Sequence, residues 1–296
     1  MNFILIGSVE SSNIFLLKAI ENGFLPSHVF GLDEQYSENV SGFFPIYKTA
    51  EDNRIPFTRF KKINDNFSKI KEIKPDYIFV IGLSQIISRE LITCAKIFAI
   101  GMHPTPLPKF RGRAAIPWQI ILGVKESAVT FFRITDGMDD GDILWQEPYY
   151  IDSDDYAFDV HQKVYAALGK ATGILLNKLS EGTIKPVPQD QSQATYLLIR
   201  REEDGQIDWK EPIESIYSLI RGVSKPYPGA FSYYEGKKVI FNRAEIIKNS
   251  SYIGINGQIA KIENGAIYIV VYNNLLKITD YTAKEKIRFV VGKKFR

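Results

Sequence analysis

One cysteine and three histidines stand in a chain of 296 residues, and both scarcities narrow its chemistry. Cys94 alone forms no intrachain disulfide, and a cysteine-based metal site has no ligands to draw on. No apolar run approaches the length that spans a bilayer. Apart from Lys293-Lys294-Phe295-Arg296 there is no dense basic block. The formal charge is only +3, so nucleic acid is not called for as a dedicated partner. Gly7 is followed by Ser8-Val9-Glu10-Ser11, without the further glycines of a dinucleotide fingerprint, and a Walker-type phosphate loop is missing. Without a Gly-x-Ser-x-Gly elbow, a serine hydrolase has little support. The opening residues lack the charged start and small-residue cleavage site of a signal peptide. The expectation is a cytoplasmic protein whose first strand begins there.

What is present suits a buried core, with 45% hydrophobic and 24% charged residues and room for one large domain and a smaller one. Apolar runs at Phe3–Ile6, Val29–Leu32, Ile55–Phe60, Tyr77–Ile81 and Ile97–Ile100 read as strands. Helical patterns at Asn13–Asn22 and Asn66–Ile73 lie between them. This alternation predicts an α/β fold with a mostly parallel, Rossmann-like sheet. A long helix is expected over Asp159–Leu179, and the polar stretch Lys185–Ala194 reads as a linker or extended connection. Beyond a helix at Ile213–Val223, five short strands between Ala230 and Ile278 predict a smaller β-rich, barrel-like domain. The expected division is a catalytic domain over 1–190, a linker over 191–205 and an accessory domain over 206–296.

Chemistry concentrates in Gly101-Met102-His103-Pro104-Thr105-Pro106-Leu107-Pro108 and, about thirty residues on, Asp136-Gly137-Met138-Asp139-Asp140-Gly141-Asp142. Prolines 104, 106 and 108 stop the strand before them, which places His103 at its exit, where ligands bind in open α/β sheets. Asp139 is the candidate carboxylate partner. Such a pair can take a proton from a nucleophile or stabilise an oxyanion. Asp-Gly clusters also make turns, and Asp136, Asp140 and Asp142 read equally as turn acceptors. A metal on His103 would lack a second nearby histidine, so none is expected. Trp118, His28 and His161 read as packing residues.

His103 with Leu107-Pro108, Arg111-Gly112-Arg113, Trp118, Val129-Thr130 and Asp139-x-Gly141 resembles, in order, the formyltransferases that use 10-formyltetrahydrofolate, among them the methionyl-tRNA and glycinamide ribonucleotide enzymes. Arg200-Arg201 through Trp209, Ile220-Arg221 and Pro226-Tyr227-Pro228-Gly229 resemble the enzymes that formylate amino sugars on nucleotides. One such comparison is the domain of a bacterial polymyxin-resistance enzyme that formylates UDP-aminoarabinose. The resemblance implies transfer of a formyl group from 10-formyltetrahydrofolate to a nucleotide-linked amino sugar, with His103 and Asp139 as catalytic residues. It implies a folate site at Gly82, Leu83, Gln85, Ile86, Ile87, Asp136 and Gly137. Arg111 and Arg113 are candidates for the substrate's phosphates, with loop bracing as the alternative; Arg200 and Arg201 divide in the same way, with the Asp204-Gly205 turn and Trp209 beside them favouring a place at the substrate's edge. Related enzymes often pair through the accessory region, which makes a homodimer an expectation. Rival readings are a methionyl-tRNA formyltransferase, a formyltetrahydrofolate hydrolase and a non-catalytic folate or sugar-nucleotide binder.

One position departs from the pattern. The family ordinarily presents an asparagine two residues before this histidine, its amide directed at the formyl oxygen, and here that residue is Gly101. Loss of one oxyanion donor costs on the order of a hundred- to a thousandfold in acyl transfer. Gln85, Thr105 or a water are candidate replacements.

Overall fold

The computed structural model describes residues 1–38 and 40–296. Its contacts divide into two compact units. One comprises 1–115, 126–150 and 162–197, and the other 116–125, 151–161 and 198–296.

In the first unit β1 (Phe3–Gly7), α1 (Glu10–Glu21), β2 (His28–Leu32), α2 (Ile46–Asp52) and β3 (Phe57–Phe60) come first. Then follow α3 (Phe67–Ile73), β4 (Tyr77–Ile81), α4 (Arg89–Ile92) and β5 (Phe98–His103). The remaining elements are β6 (Arg111–Gly112), α5 (Ala115–Ile121), β7 (Glu126–Arg133), β8 (Ile143–Tyr150), α6 (Ala157–Ser180) and β9 (Tyr196–Leu197), of which α5 beyond its first residue and the start of α6 up to His161 belong to the second unit. Seven strands form one sheet in the order β3-β2-β1-β4-β5-β7-β8. The first five run parallel, and β7 and β8 are antiparallel additions. β1 is buried at every residue, the pattern of a strand covered on both faces. Strand order reverses between β1 and β4, the kind of switch point beside which open α/β sheets bind ligands at the carboxyl ends of their strands. This is the expected Rossmann-like sheet.

Two local expectations shift. The first helix starts at Glu10 rather than Asn13, because its polar opening is satisfied by the backbone. Ser12 Oγ accepts from Ser8 N at 3.1 Å and donates to Ile81 O at 2.6 Å, and Ser8 Oγ donates to Gly82 O. The polar stretch before residue 198 is also no free linker. Val187 bridges to Ile143, and β9 pairs in parallel with β6, so the first unit runs to Leu197 rather than ending at 190.

In the second unit α7 (Ile213–Gly222) precedes β10 (Ala230–Tyr234), β11 (Lys237–Ile247), β12 (Ile259–Glu263), β13 (Ala266–Val271) and β14 (Asn274–Ala283). They form an antiparallel sheet in the order β10-β11-β14-β13-β12. Ile213, Ile216 and Ile220 of α7 share one face and pack into its core with Trp209, Tyr234, Phe241 and Phe295. Arg296 pairs by both backbone groups with Tyr233 on β10, and Lys294 bridges to Gln258 just before β12. The final residues thereby join both sheet edges, covering groups that would otherwise be unpaired. Among the described residues no helix is long and apolar enough to cross a membrane.

Candidate active site

His103 is the last residue of β5 and only 7% exposed. After it the proline-rich turn folds back and brings Phe110 O to 2.8 Å from the imidazole Nε2. A carbonyl only accepts, so Nε2 carries the proton and the neutral ring has its lone pair at Nδ1. Nδ1 lies 3.8 Å from Asp139 Oδ2, too far for a hydrogen bond and close enough for a charge to be felt.

Asp139 is held from both of its ends. Its Oδ2 accepts from Gly112 N at 2.8 Å, and its carbonyl accepts from Gln189 Nε2 at 2.8 Å. Gln189 also donates to Gly141 O, while its own Oε1 accepts two bonds from Arg111, at 3.1 and 2.7 Å. Other aspartates of the loop have separate partners: Asp136 meets Arg89 at 3.4 Å, Asp140 accepts from the Thr135 hydroxyl, and Asp142 meets Arg133 at 3.1 Å. Asp140 and Asp142 therefore serve the loop, and Asp139 alone faces the histidine.

A cleft of about 440 Å³ opens beside the pair. Gly82, Leu83, Gln85, Ile86, Ile87, Asp136 and Gly137 all line it with His103 and Asp139. At Gly82, φ is +59° and an added Cβ would stand 2.3 Å from Val9, so the turn that shapes this wall requires glycine. The volume lies within the range of small-ligand sites. Ile86 and Met138, 89% and 56% exposed, offer apolar surface that a flat ring system would cover. These features fit a folate.

Sequence reasoning did not identify Phe132, Ile134 and Arg89, which also line the cleft. Phe132 explains the departure at Gly101. The two residues face each other across the β5–β7 pair. A Cβ added at Gly101 would lie 2.8 Å from Phe132 Cζ, 2.9 Å from Cε1 and 3.2 Å from Ile134 Cγ1. An aromatic ring thus stands where a side chain at 101 would begin. Both side chains proposed as substitutes are engaged elsewhere. The Gln85 side chain accepts from Ile63 N and donates to Lys61 O, and the buried Thr105 hydroxyl bonds Lys109 O and Phe110 O.

The four arginines divide. Arg111 is 1% exposed, with its guanidinium spent on Gln189, Gln191 and Tyr196, which makes it a brace rather than a phosphate ligand. Exposed Arg113 reaches Ser84 O at 3.4 Å, next to the cleft lining. In the second unit, Arg200 lies 4.6 Å over the Trp118 ring and donates to Asp204 O, and its burial draws its pKa below the usual guanidinium value. Arg201 is exposed near Glu203. Trp118 donates to Leu198 O and packs, as do His28 on Thr58 and His161 on Tyr227. Gln189 carried no signal in the sequence, since it sits in a stretch whose polarity reads as solvated.

Known proteins resemble this chain in sequence and in fold. The formyl transferase family profile matches residues 43–172, and the formyl transferase C-terminal domain profile matches residues 200–291. A methionyl-tRNA formyltransferase from Caldanaerobacter subterraneus is 32% identical over 254 residues, 84% of this chain and 82% of that protein. Among solved structures, HypX from Aquifex aeolicus in complex with tetrahydrofolic acid has a TM-score of 0.68 at 17% identity. The match covers 97% of this chain and 45% of HypX. An N-formyltransferase from Helicobacter canadensis, in complex with folinic acid and dTDP-3-aminofucose, has a TM-score of 0.68 at 18% identity, covering 94% of this chain and 98% of that one. Both structures share the fold. The chain belongs to the formyltransferase family, enzymes that transfer a formyl group from 10-formyltetrahydrofolate.

Proposed function

We propose that the protein formylates the amine of a nucleotide-linked amino sugar in the cleft beside His103. The observation that carries the chemistry is the orientation of the imidazole, whose Nε2–H is committed to Phe110 O and whose Nδ1 is turned to Asp139. Bound in the cleft, 10-formyltetrahydrofolate supplies the activated formyl group. Nδ1 takes the proton that the acceptor's amine must lose, a role worth about 10²- to 10⁴-fold. The Asp139 carboxylate offsets the positive charge that then forms on the ring. Gln189, by fixing the Asp139 and Gly141 carbonyls, holds that carboxylate in place.

A sugar nucleotide is favoured as acceptor by the arrangement of charge in the second unit. Residues 198–296 carry 17 Lys and Arg against 11 Asp and Glu, yet six of the lysines sit on a glutamate. These are Lys237, Lys238, Lys248, Lys261, Lys277 and Lys293. Pairs of this kind offset the basic character that tracking of a polynucleotide backbone needs. Exposed Arg113 is the proposed contact for the substrate's phosphates. A second reading, formylation of methionyl-tRNA, draws on the 32% identity to such an enzyme and on the remaining basic excess of residues 198–296.

The test is incubation with 10-formyltetrahydrofolate and a panel of UDP- and dTDP-linked amino sugars, following tetrahydrofolate release and product mass. An N-formyl sugar is expected. Formylation of charged initiator tRNA alone would replace the acceptor, and tetrahydrofolate release without any acceptor would point to a hydrolase.

A further inference from the structure

A histidine beside a carboxylate activates water as readily as an amine, so the His103–Asp139 pair by itself does not choose its acceptor. Asp139 keeps about a quarter of its side chain exposed, so water has access to it. A glycine at 101 would then leave a side-chain-sized void on the same face of β5 as His103. A void of that size beside polar groups takes up water. The structure fills it from the neighbouring strand. Phe132, 6% exposed, lays the far edge of its ring over Gly101, and Ile134 closes the other side. The β7–β8 register shifts between Phe131 and Phe132, and an irregularity of this kind re-aims a side chain.

We propose that Phe132 is a specificity-determining residue, which keeps water from the reacting carbon so that the amine is the acceptor. The inference rests on the formyl-transfer reading above. In the competing reaction water's oxygen adds to the formyl carbon and the bond from that carbon to N10 breaks. A proton passes to N10, and formate and tetrahydrofolate leave. Nothing further is consumed.

The test measures formate released per N-formyl sugar formed by the wild type, Phe132→Ala and Phe132→Leu. Phe132→Ala should raise the ratio roughly tenfold, and Phe132→Leu, which keeps most of the volume, should raise it less. A slower transfer at an unchanged ratio would leave Phe132 a packing residue and overturn the proposal. A second measurement needs no turnover: the Tm of Gly101→Asn, Phe132→Ala and the double variant. The double variant should lose less than the sum of the single losses, because the new side chain enters the space the ring vacates. Additive losses would remove the steric premise. If the wild type formylates no amino sugar, the acceptor reading fails by itself. Formate release without acceptor, compared between wild type and Phe132→Ala, then still decides whether the ring excludes water.

Discussion

His103 and Gly101 are two residues apart on one strand and face the same way, yet they stand in opposite surroundings. Around His103 every partner is polar and fixed: a carbonyl on Nε2, a carboxylate near Nδ1, and a backbone amide holding that carboxylate. Around Gly101 the partners are apolar side chains, from Phe132 and Ile134. On the proposed reading, the half of the cleft that moves the proton is polar and braced, while the position expected to face the formyl oxygen is closed by apolar side chains. A polar pair works only if each member is held by its neighbours, so it is preserved or lost as a unit. An apolar slot tolerates exchange of one filler for another when volume is kept.

The largest effect should break the polar half. His103→Ala is expected to lower kcat/KM about 10²- to 10⁴-fold with a Tm near that of the wild type, measured by steady-state formyl transfer and thermal melting. Asp139→Asn should lower it less, since the amide can still accept from Gly112 N. Near-wild-type rates for both would place the chemistry elsewhere.

How much of this was legible follows from what sequence patterns record. Period and punctuation placed β1, β4 and α7 within a residue, because apolar runs bounded by turns leave few alternatives. The juxtaposition of His103 and Asp139 was legible because one of only three histidines and an Asp-Gly loop stood in a recognisable order. Phe132 was not, since its role depends on which residue it faces across β5 and on a register irregularity that no local pattern encodes. Arg111 resembled a ligand for phosphate for the same reason that it serves as a brace: its planar fork suits any pair of acceptors, and here Gln189 and Gln191 provide them.

A smaller effect should loosen the polar half from behind. Gln189→Ala leaves the buried Arg111 fork and the Asp139 and Gly141 carbonyls short of partners. It should cost about 1–3 kcal/mol of stability, read from denaturant midpoints. It should also slow formyl transfer more than a neutral surface substitution does. Unchanged stability would mean that water replaces the amide without loss.

The smallest effect is a control on pH. His28 and His161 lie outside the cleft, and burial is the main cause that lowers each pKa to about 4, with Lys69 adding to the effect at His28. Unfolded, each titrates near 6.5, so between about pH 6.5 and 4 the unfolded chain binds more protons than the folded one. Stability should therefore fall as pH falls through that window and stay level above it. Melting curves should show a shallower fall for His161→Gln, and an identical slope would mean that His161 titrates as it does unfolded.

The contrast between His103 and Gly101 is decided by the single-turnover rate of formyl transfer in Gly101→Asn. With Phe132 on the slot, the new amide cannot enter without displacing the ring, and the expected rate is no higher than that of the wild type. A faster variant would show that the slot accepts an oxyanion donor as it stands and that Phe132 does not close it.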